Sequence, residues 1–338
     1  GASMKHVFIT GVAGFLGSHL ARRMNDLGWR VSGNDNLSGA DIENVPQCVS
    51  FHSIDCCDLD GMKSAMEGVD LLFHSAATAH EGLSVFCPTY ITRNNFDASV
   101  STFTAAISSG VKKIVFCSSM ARYGDQTTPF TEDMKTKPVD PYGIAKVAAE
   151  ETLKVLSEVH GFDWNIAVPH NIVGEGQKYD DPYRNVMSIM INRNLQGLPS
   201  IIYGDGEQTR CFSYVDDCLN CLVKMGIDPA INKETINIGP DEEVISINKL
   251  ANLCANETGL NKPPIYFDSG RPQEVIHASC SSEKARRVLN YKTQTTVAEA
   301  VKKTAEYIRE SGVKQFQYHI PLEIVNDKTP RTWVEKLI

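Results

Sequence analysis

Through the first two-thirds of the chain, short apolar runs alternate with stretches of helical length. Val7-Phe8-Ile9, Arg30-Val31-Ser32-Gly33, Val49-Ser50-Phe51, Leu71-Leu72-Phe73, Ile114-Val115-Phe116 and Ile166-Ala167-Val168 read as strands. Segments 18–27 and 95–109, between them, read as helices. Alternation of this kind predicts a parallel sheet with helices on both faces, a doubly wound α/β fold. After Asn171 the regularity breaks. Gly174, Gly176, Asp180-Asp181-Pro182 and Gly204-Asp205-Gly206 punctuate the chain as loops, with helices predicted at 184–195, 248–258, 282–289 and 297–311. The pattern predicts one unit over 4–170, to which the chain returns around 210–240. Residues 171–338 then form mainly a smaller C-terminal α/β lobe on the strand ends, where open α/β sheets bind ligands.

Composition narrows the partners. The chain of 338 residues carries 33 Lys and Arg against 41 Asp and Glu, a net charge of −8 that speaks against a nucleic-acid partner. No apolar run approaches the ~20 residues that span a bilayer, so no membrane partner is expected and the chain reads as soluble and cytoplasmic. Gly1-Ala2-Ser3 ahead of Met4 reads as a tag-cleavage scar. The ten cysteines read as reduced thiols. Cys218 and Cys221 form a lone C-x-x-C with no second pair at zinc spacing, so no metal is expected.

Candidate chemistry begins at Gly11-Val12-Ala13-Gly14-Phe15-Leu16-Gly17, between the first strand and the first helix. Glycines here permit a tight turn and let backbone N–H groups of the turn, Phe15 and Leu16 approach a pyrophosphate at the helix N-terminus. This makes the sheet Rossmann-type. Asp35, at the end of the second strand, can accept hydrogen bonds from the adenosine ribose and would repel a 2′-phosphate. Asn36-Leu37-Ser38-Gly39 offers no arginine for that phosphate, and Asn36 and Ser38 join the expected cofactor contacts. NAD is therefore expected over NADP. Asp55 and Cys56, after the third strand, are candidates for the adenine edge, although a turn-forming aspartate fits as well.

Tyr142 and Lys146 lie one helical turn apart and share a helix face. A nearby ammonium favours phenolate, so Lys146 is expected to lower the Tyr142 pKa and make it a general acid/base. Ser118-Ser119 lies between the glycine loop and this pair.

Together these residues resemble the extended short-chain dehydrogenase/reductase family, in particular its nucleotide-sugar epimerases and dehydratases. The glycine spacing, His74-Ser75-Ala76-Ala77, Asn95 as the opening of the next helix, Ser118-Ser119-Met120-Ala121-Arg122-Tyr123-Gly124, and Asp140-Pro141-Tyr142-Gly143 through Lys146 occur in the family's order over about residues 4–310. The resemblance implies that Ala76, Ala77, Asn95 and Pro169 contact NAD with Tyr142 and Lys146. It implies Ser119, Tyr142 and Lys146 as the catalytic set. It also implies a UDP-sugar held by Ser119, Asn171, Asn185, Val186, Tyr203, Arg210, Arg271 and Glu274. Tyr203 would stack on the base and the two arginines would clamp the diphosphate, although either arginine alone fits a surface ion pair equally well. A homodimer through helices 95–109 and 142–160 is implied too. Arg122 stands in place of the family's valine, Val168 in place of an arginine, Cys211 and Ser281 in place of acidic residues, and Gln273 where glycine is common.

The residues after Ser119 bear on the reaction. Dehydratases of the family resemble one another in carrying an acid pair there, and decarboxylases carry a glutamate. Met120-Ala121 can neither give nor take a proton. Epimerisation, a 4-epimerase of a UDP-hexose or UDP-N-acetylhexosamine, is expected through a transient 4-keto sugar. Ala278 falls where such enzymes open the site to a 2-acetamido group. A uronic-acid 4-epimerase, a dehydratase or reductase, and a non-catalytic NAD-binding regulator are the alternatives.

Overall fold

The computed structural model describes residues 4–267 and 274–338. Arg271 and Gln273 lie outside them. Seven parallel strands form the central sheet: β1 (His6–Thr10), β2 (Arg30–Asn34), β3 (Val49–His52), β4 (Leu71–His74), β5 (Lys113–Cys117), β6 (Asp163–Pro169) and the late strand Glu234–Ile238. Their spatial order is Glu234–Ile238, β6, β5, β4, β1, β2, β3. The order reverses between β1 and β4, so their C-terminal ends diverge and open a crevice there.

The strands read as continuous apolar runs because both sheet faces are covered. Val7, Ile9, Phe73 and Val115 point into one core, and Phe8, Leu72, Ile114, Phe116, Ile166 and Val168 into the other. Each fully buried phenylalanine contributes roughly 1.5–3 kcal/mol. Helix α1 (Phe15–Asp26) and the helix Val215–Ile227 pack on the first face. The helices Ala98–Ser108 and Pro141–His160 cover the second. The Pro141–His160 helix starts sharply because Asp140 Oδ1 accepts the Gly143 N–H at 2.7 Å and proline takes the first position, and Gly161 ends it in the left-handed region. Short strand pairs, Ile172–Val173 with Ser213–Tyr214, Thr209–Arg210 with Ile245–Ser246 and Ile201–Tyr203 with Ile265–Phe267, build the second lobe with Val186–Leu195, Ile247–Thr258 and Val297–Ser311. Among the described residues no helix is long and apolar enough to cross a membrane.

Two elements differ from expectation. The helix expected at 95–109 starts earlier, at Pro88, and passes through a π-helical turn, Arg93–Asp97, before Ala98–Ser108. Asn95 therefore sits inside the run rather than at its opening. Its amide is turned inward, donating to Ile91 O at 2.8 Å and Thr78 O at 3.0 Å. The last residues, for which the periodicity predicts no element, return across the molecule. Ile320 and Trp333 join Leu83, Phe86, Ala121, Tyr142 and Tyr183 in a third core, so the C-terminal segment packs on the start of the Pro141–His160 helix.

Candidate active site

A cavity of about 440 Å³ opens at the C-terminal ends of β1, β2, β4 and β5. The glycine turn forms its floor. Gly11 has φ +66°, and a Cβ there would lie 2.9 Å from Ala76 Cα, so only glycine lets this turn approach β4. A Cβ on Gly17 would meet the Gly11 carbonyl oxygen at 2.3 Å. Helix α1 begins at Gly14 with no side-chain cap and no acidic residue in its first turn, leaving its first N–H groups to an anion. Asp35 follows β2 directly. Its carboxylate accepts Leu37 N–H at 2.9 Å and Ala13 N–H at 3.2 Å, and burial raises its pKa against those bonds. Asp55 fixes its own turn through Cys57 N–H at 2.7 Å and also lines the cavity, so the turn-forming role is present. These features fit a dinucleotide: an open helix N-terminus, a glycine cradle, and a carboxylate with spare lone pairs.

Ser119, Tyr142 and Lys146 reach the opposite wall. Ser119 opens the 3-10 turn Met120–Tyr123 and accepts Ala121 N–H at 3.1 Å. Burial pushes the Tyr142 phenol up, and the Glu81 carboxylate adds to this; Arg184 and a hydrogen bond to Ser119 oppose it. The expectation that Lys146 lowers the phenol is thus corrected for the chain alone. Lys146 Nζ donates to Cys117 O at 3.0 Å and stands 5.8 Å from the Tyr142 ring centre. Burial pulls Lys146 itself down to about 8. Asp140, at the start of the same helix, is pushed up to about 7 by burial and by Glu81.

Among the remaining expected residues, Phe15, Leu16, Asn36, Ser38, Cys56, Ala76, Ala77, Pro169, Asn171 and Asn185 line the cavity. Asn171 (φ +23°) and Asn185 (φ +70°) hold positive φ, and Asn171 Nδ2 donates to Cys211 O at 3.1 Å. Asn95 lies behind the wall, and Val186 starts a helix without facing the cavity. Tyr203, Arg210, Glu274 and Ala278 do not line it either. The Tyr203 hydroxyl is bonded to Thr332 Oγ1 at 2.6 Å, and Arg210 lies 3.5 Å from Glu274 and donates to the Thr209 and Ile276 carbonyls. Ala278 is buried in the second core.

Sequence reasoning did not reach His80, Glu81, Asp181, Arg184 and His319, all wall residues. His80 Nε2 and Asp181 Oδ2 are 2.7 Å apart, and His319 Nε2 approaches the same oxygen at 3.8 Å. Three distant segments supply this cluster, so no spacing in the chain announces it.

The model of the NAD dependent epimerase/dehydratase family matches residues 7–239, most of the chain, including every strand of the sheet but part of β1. The chain belongs to that family. It is similar to a putative UDP-glucose 4-epimerase of Methanocaldococcus jannaschii, 30% identical over 313 residues that cover 90% of this chain and 99% of the relative. It is equally similar to a UDP-N-acetyl-alpha-D-glucosaminuronate decarboxylase of Bacillus cytotoxicus, 30% identical over 90% of this chain and 98% of that one. Among solved structures, the UDP-glucose 4-epimerase of Thermotoga maritima with UDP-glucose superposes with a TM-score of 0.86 at 29% identity, covering 90% of this chain and 99% of that one. As a member of an NAD dependent family, the protein is an enzyme and its cofactor is NAD. The glycine cradle, open helix end and Asp35 fit such a cofactor.

Proposed function

We propose that this family member is a 4-epimerase of a UDP-hexose, acting through a transient 4-keto sugar. The observation that carries the reading is the convergence of Ser119 and Tyr142 on one cavity, with no acid or base in the two residues that follow Ser119. Met120 and Ala121 lead away from it, and Ala121 is buried against Tyr142 in the third core.

NAD, when bound, would supply the hydride acceptor and donor. Tyr142, as the phenolate, takes the proton from the sugar hydroxyl and gives it back, while Ser119 holds that oxygen as it becomes a carbonyl. Lys146 keeps positive charge beside the phenol and would hold the nicotinamide ribose. Asn171, Asn185 and Arg184 offer donors along the same wall for the substrate's phosphates and sugar. Hydride return to the other face then needs no further group, only space for the sugar to turn.

A dehydratase reading would run through Glu81, an acidic group whose charge acts on both Tyr142 and Asp140. Ala278, the candidate for admitting a 2-acetamido group, packs in the second core and does not line the cavity. Incubating the protein with UDP-glucose, UDP-N-acetylglucosamine and UDP-glucuronate, and following products by proton NMR and mass, separates these readings. The expected result is a mixture of 4-epimers of unchanged mass with no added NADH consumed. Loss of water or carbon dioxide, or no conversion with NAD bound, would overturn it.

A further inference from the structure

One polar cluster stands in the cavity wall apart from the reacting residues. The Asp181 side chain, 2% exposed, accepts the Tyr183 N–H on Oδ1 at 2.8 Å and presents Oδ2 to two imidazoles. His80 Nε2 lies 2.7 Å from that oxygen and His319 Nε2 lies 3.8 Å from it. One nitrogen of each ring and one carboxylate oxygen all fall within 4.8 Å of one another. The three residues come from the loop after β4, the loop ahead of the Val186–Leu195 helix and the C-terminal segment.

No fixed cation balances this carboxylate. A buried carboxylate is costly unless it is paired. Among the described residues no Lys or Arg pairs with Asp181, and its ion-pair partners are the two histidines. Hydrogen bonding then decides which ring atoms face it. His319 Nδ1 lies 3.2 Å from the Gln317 carbonyl oxygen, which can only accept, so Nδ1 carries the ring proton. In the neutral ring Nε2 therefore turns a lone pair towards Asp181, and 3.8 Å is beyond hydrogen-bond reach. His80 Nδ1 is buried without a partner, so Asp181 alone fixes the proton of that ring on Nε2.

Two imidazole nitrogens and one carboxylate oxygen make a donor set for zinc and its neighbours in the first transition row, whereas magnesium and calcium favour oxygen alone. Ligand atoms about 2.0–2.1 Å from a tetrahedral ion lie roughly 3.3 Å apart. The two distances to Asp181 Oδ2, 2.7 Å and 3.8 Å, stand on either side of that value. Three protein ligands leave a fourth position for water or a ligand in the cavity that they line.

We infer that His80, Asp181 and His319 form a site for one divalent transition-metal ion of the zinc type, which ties the C-terminal segment to the cavity wall. On binding, the ion takes Oδ2 and both Nε2 lone pairs, and the His80 proton passes from Nε2 to Nδ1. The Tyr183 ring stands 6.3 Å from each imidazole and packs with Tyr142 and Ile320 in the third core. The ion would thus brace the wall beside Tyr142. None of this rests on the reaction proposed above.

Titrating chelator-stripped, NAD-loaded protein with zinc chloride by calorimetry, and in parallel with cobalt(II) followed by its visible spectrum, tests the site. Wild type should bind one ion per chain at roughly micromolar concentration or tighter, and saturating zinc should raise the Tm. The cobalt spectrum should lack thiolate charge-transfer absorption, which separates this site from the ten cysteines. His319→Ala should weaken zinc about a hundred-fold or more and abolish the Tm rise, with NAD affinity kept within about two-fold. Binding only at millimolar zinc, a thiolate band, or unchanged zinc affinity in His319→Ala overturns the site. If His319→Ala does not fold, X-ray absorption on zinc-loaded wild type decides: a nitrogen and oxygen shell with two imidazoles upholds it, and sulfur ligands or absent imidazoles overturn it.

Discussion

Lys146 Nζ stands 5.8 Å from the centre of the Tyr142 ring, yet its hydrogen bond goes to the Cys117 carbonyl. The lysine is anchored on β5 and the tyrosine beside it is governed by other groups. Burial and Glu81 hold the phenol up; Arg184 and Ser119 act the other way. Proton transfer by Tyr142 in this family member thus depends on the charges that assemble around it as well as on its neighbour one turn away.

Tyr142→Phe should lower kcat by about 10²–10⁴ while leaving NAD affinity within a few-fold, because the ring and its packing remain and only the proton-carrying oxygen is lost. Initial rates on the converted UDP-sugar, with NAD binding by calorimetry, check this. Retained turnover would remove Tyr142 from the mechanism.

Lys146 carries a stability consequence with a definite sign. Burial takes its pKa from 10.5 to about 8. Below about 8 the folded and unfolded chains both hold the proton, and the folded chain bears the whole penalty of a buried charge. Between about 8 and 10.5 the unfolded chain binds more protons, so this group's contribution becomes more favourable as pH rises. Lys146→Met should raise the Tm of cofactor-stripped protein at pH 7, with the advantage shrinking towards pH 10. A constant difference across that range would contradict the burial argument.

Asp35 should set cofactor choice. Its two carboxylate oxygens each hold one backbone N–H and keep lone pairs for ribose hydroxyls. Wild type should bind NAD at least about ten-fold tighter than NADP, and Asp35→Ser should narrow that ratio by weakening NAD and removing repulsion of the 2′-phosphate. Titrations with both nucleotides give the ratio, and an unchanged one would exclude Asp35 as the discriminator.

Ile144, Val155 and Val159 are exposed on one side of the Pro141–His160 helix. A homodimer through this helix and Ala98–Ser108 should bury them, so Ile144→Glu with Val155→Glu should shift the mass in light scattering from dimer to monomer. A wild type that is monomeric at micromolar concentration would end the proposal.

Six of the seven sheet strands were legible as short apolar runs, five within a residue of their place and β6 starting three residues earlier, at Asp163, while the strand Glu234–Ile238 was not read as one. The glycine turn was legible because Gly11 and Gly17 answer local steric demands that no other residue meets. Asn95 was misplaced because a proline seven residues earlier starts the helix, and a π turn folds the amide inward. The downstream substrate residues divided. Asn171 and Asn185 reach the cavity, whereas Arg210 pairs with Glu274 and the Tyr203 hydroxyl bonds to Thr332 of the C-terminal segment.

By itself, the sequence determined the doubly wound sheet, the nucleotide turn and the Ser119, Tyr142 and Lys146 positions, because each follows from periodicity, backbone sterics or spacing within one element. Tertiary structure alone decided which charges face those residues. Glu81 and Arg184 act on Tyr142, Glu150 turns to Arg122, and Asp181 gathers His80 and His319 from segments about a hundred residues and more away on either side. Electrostatic interaction depends on distance and burial in space, and neither is written in the order of the chain.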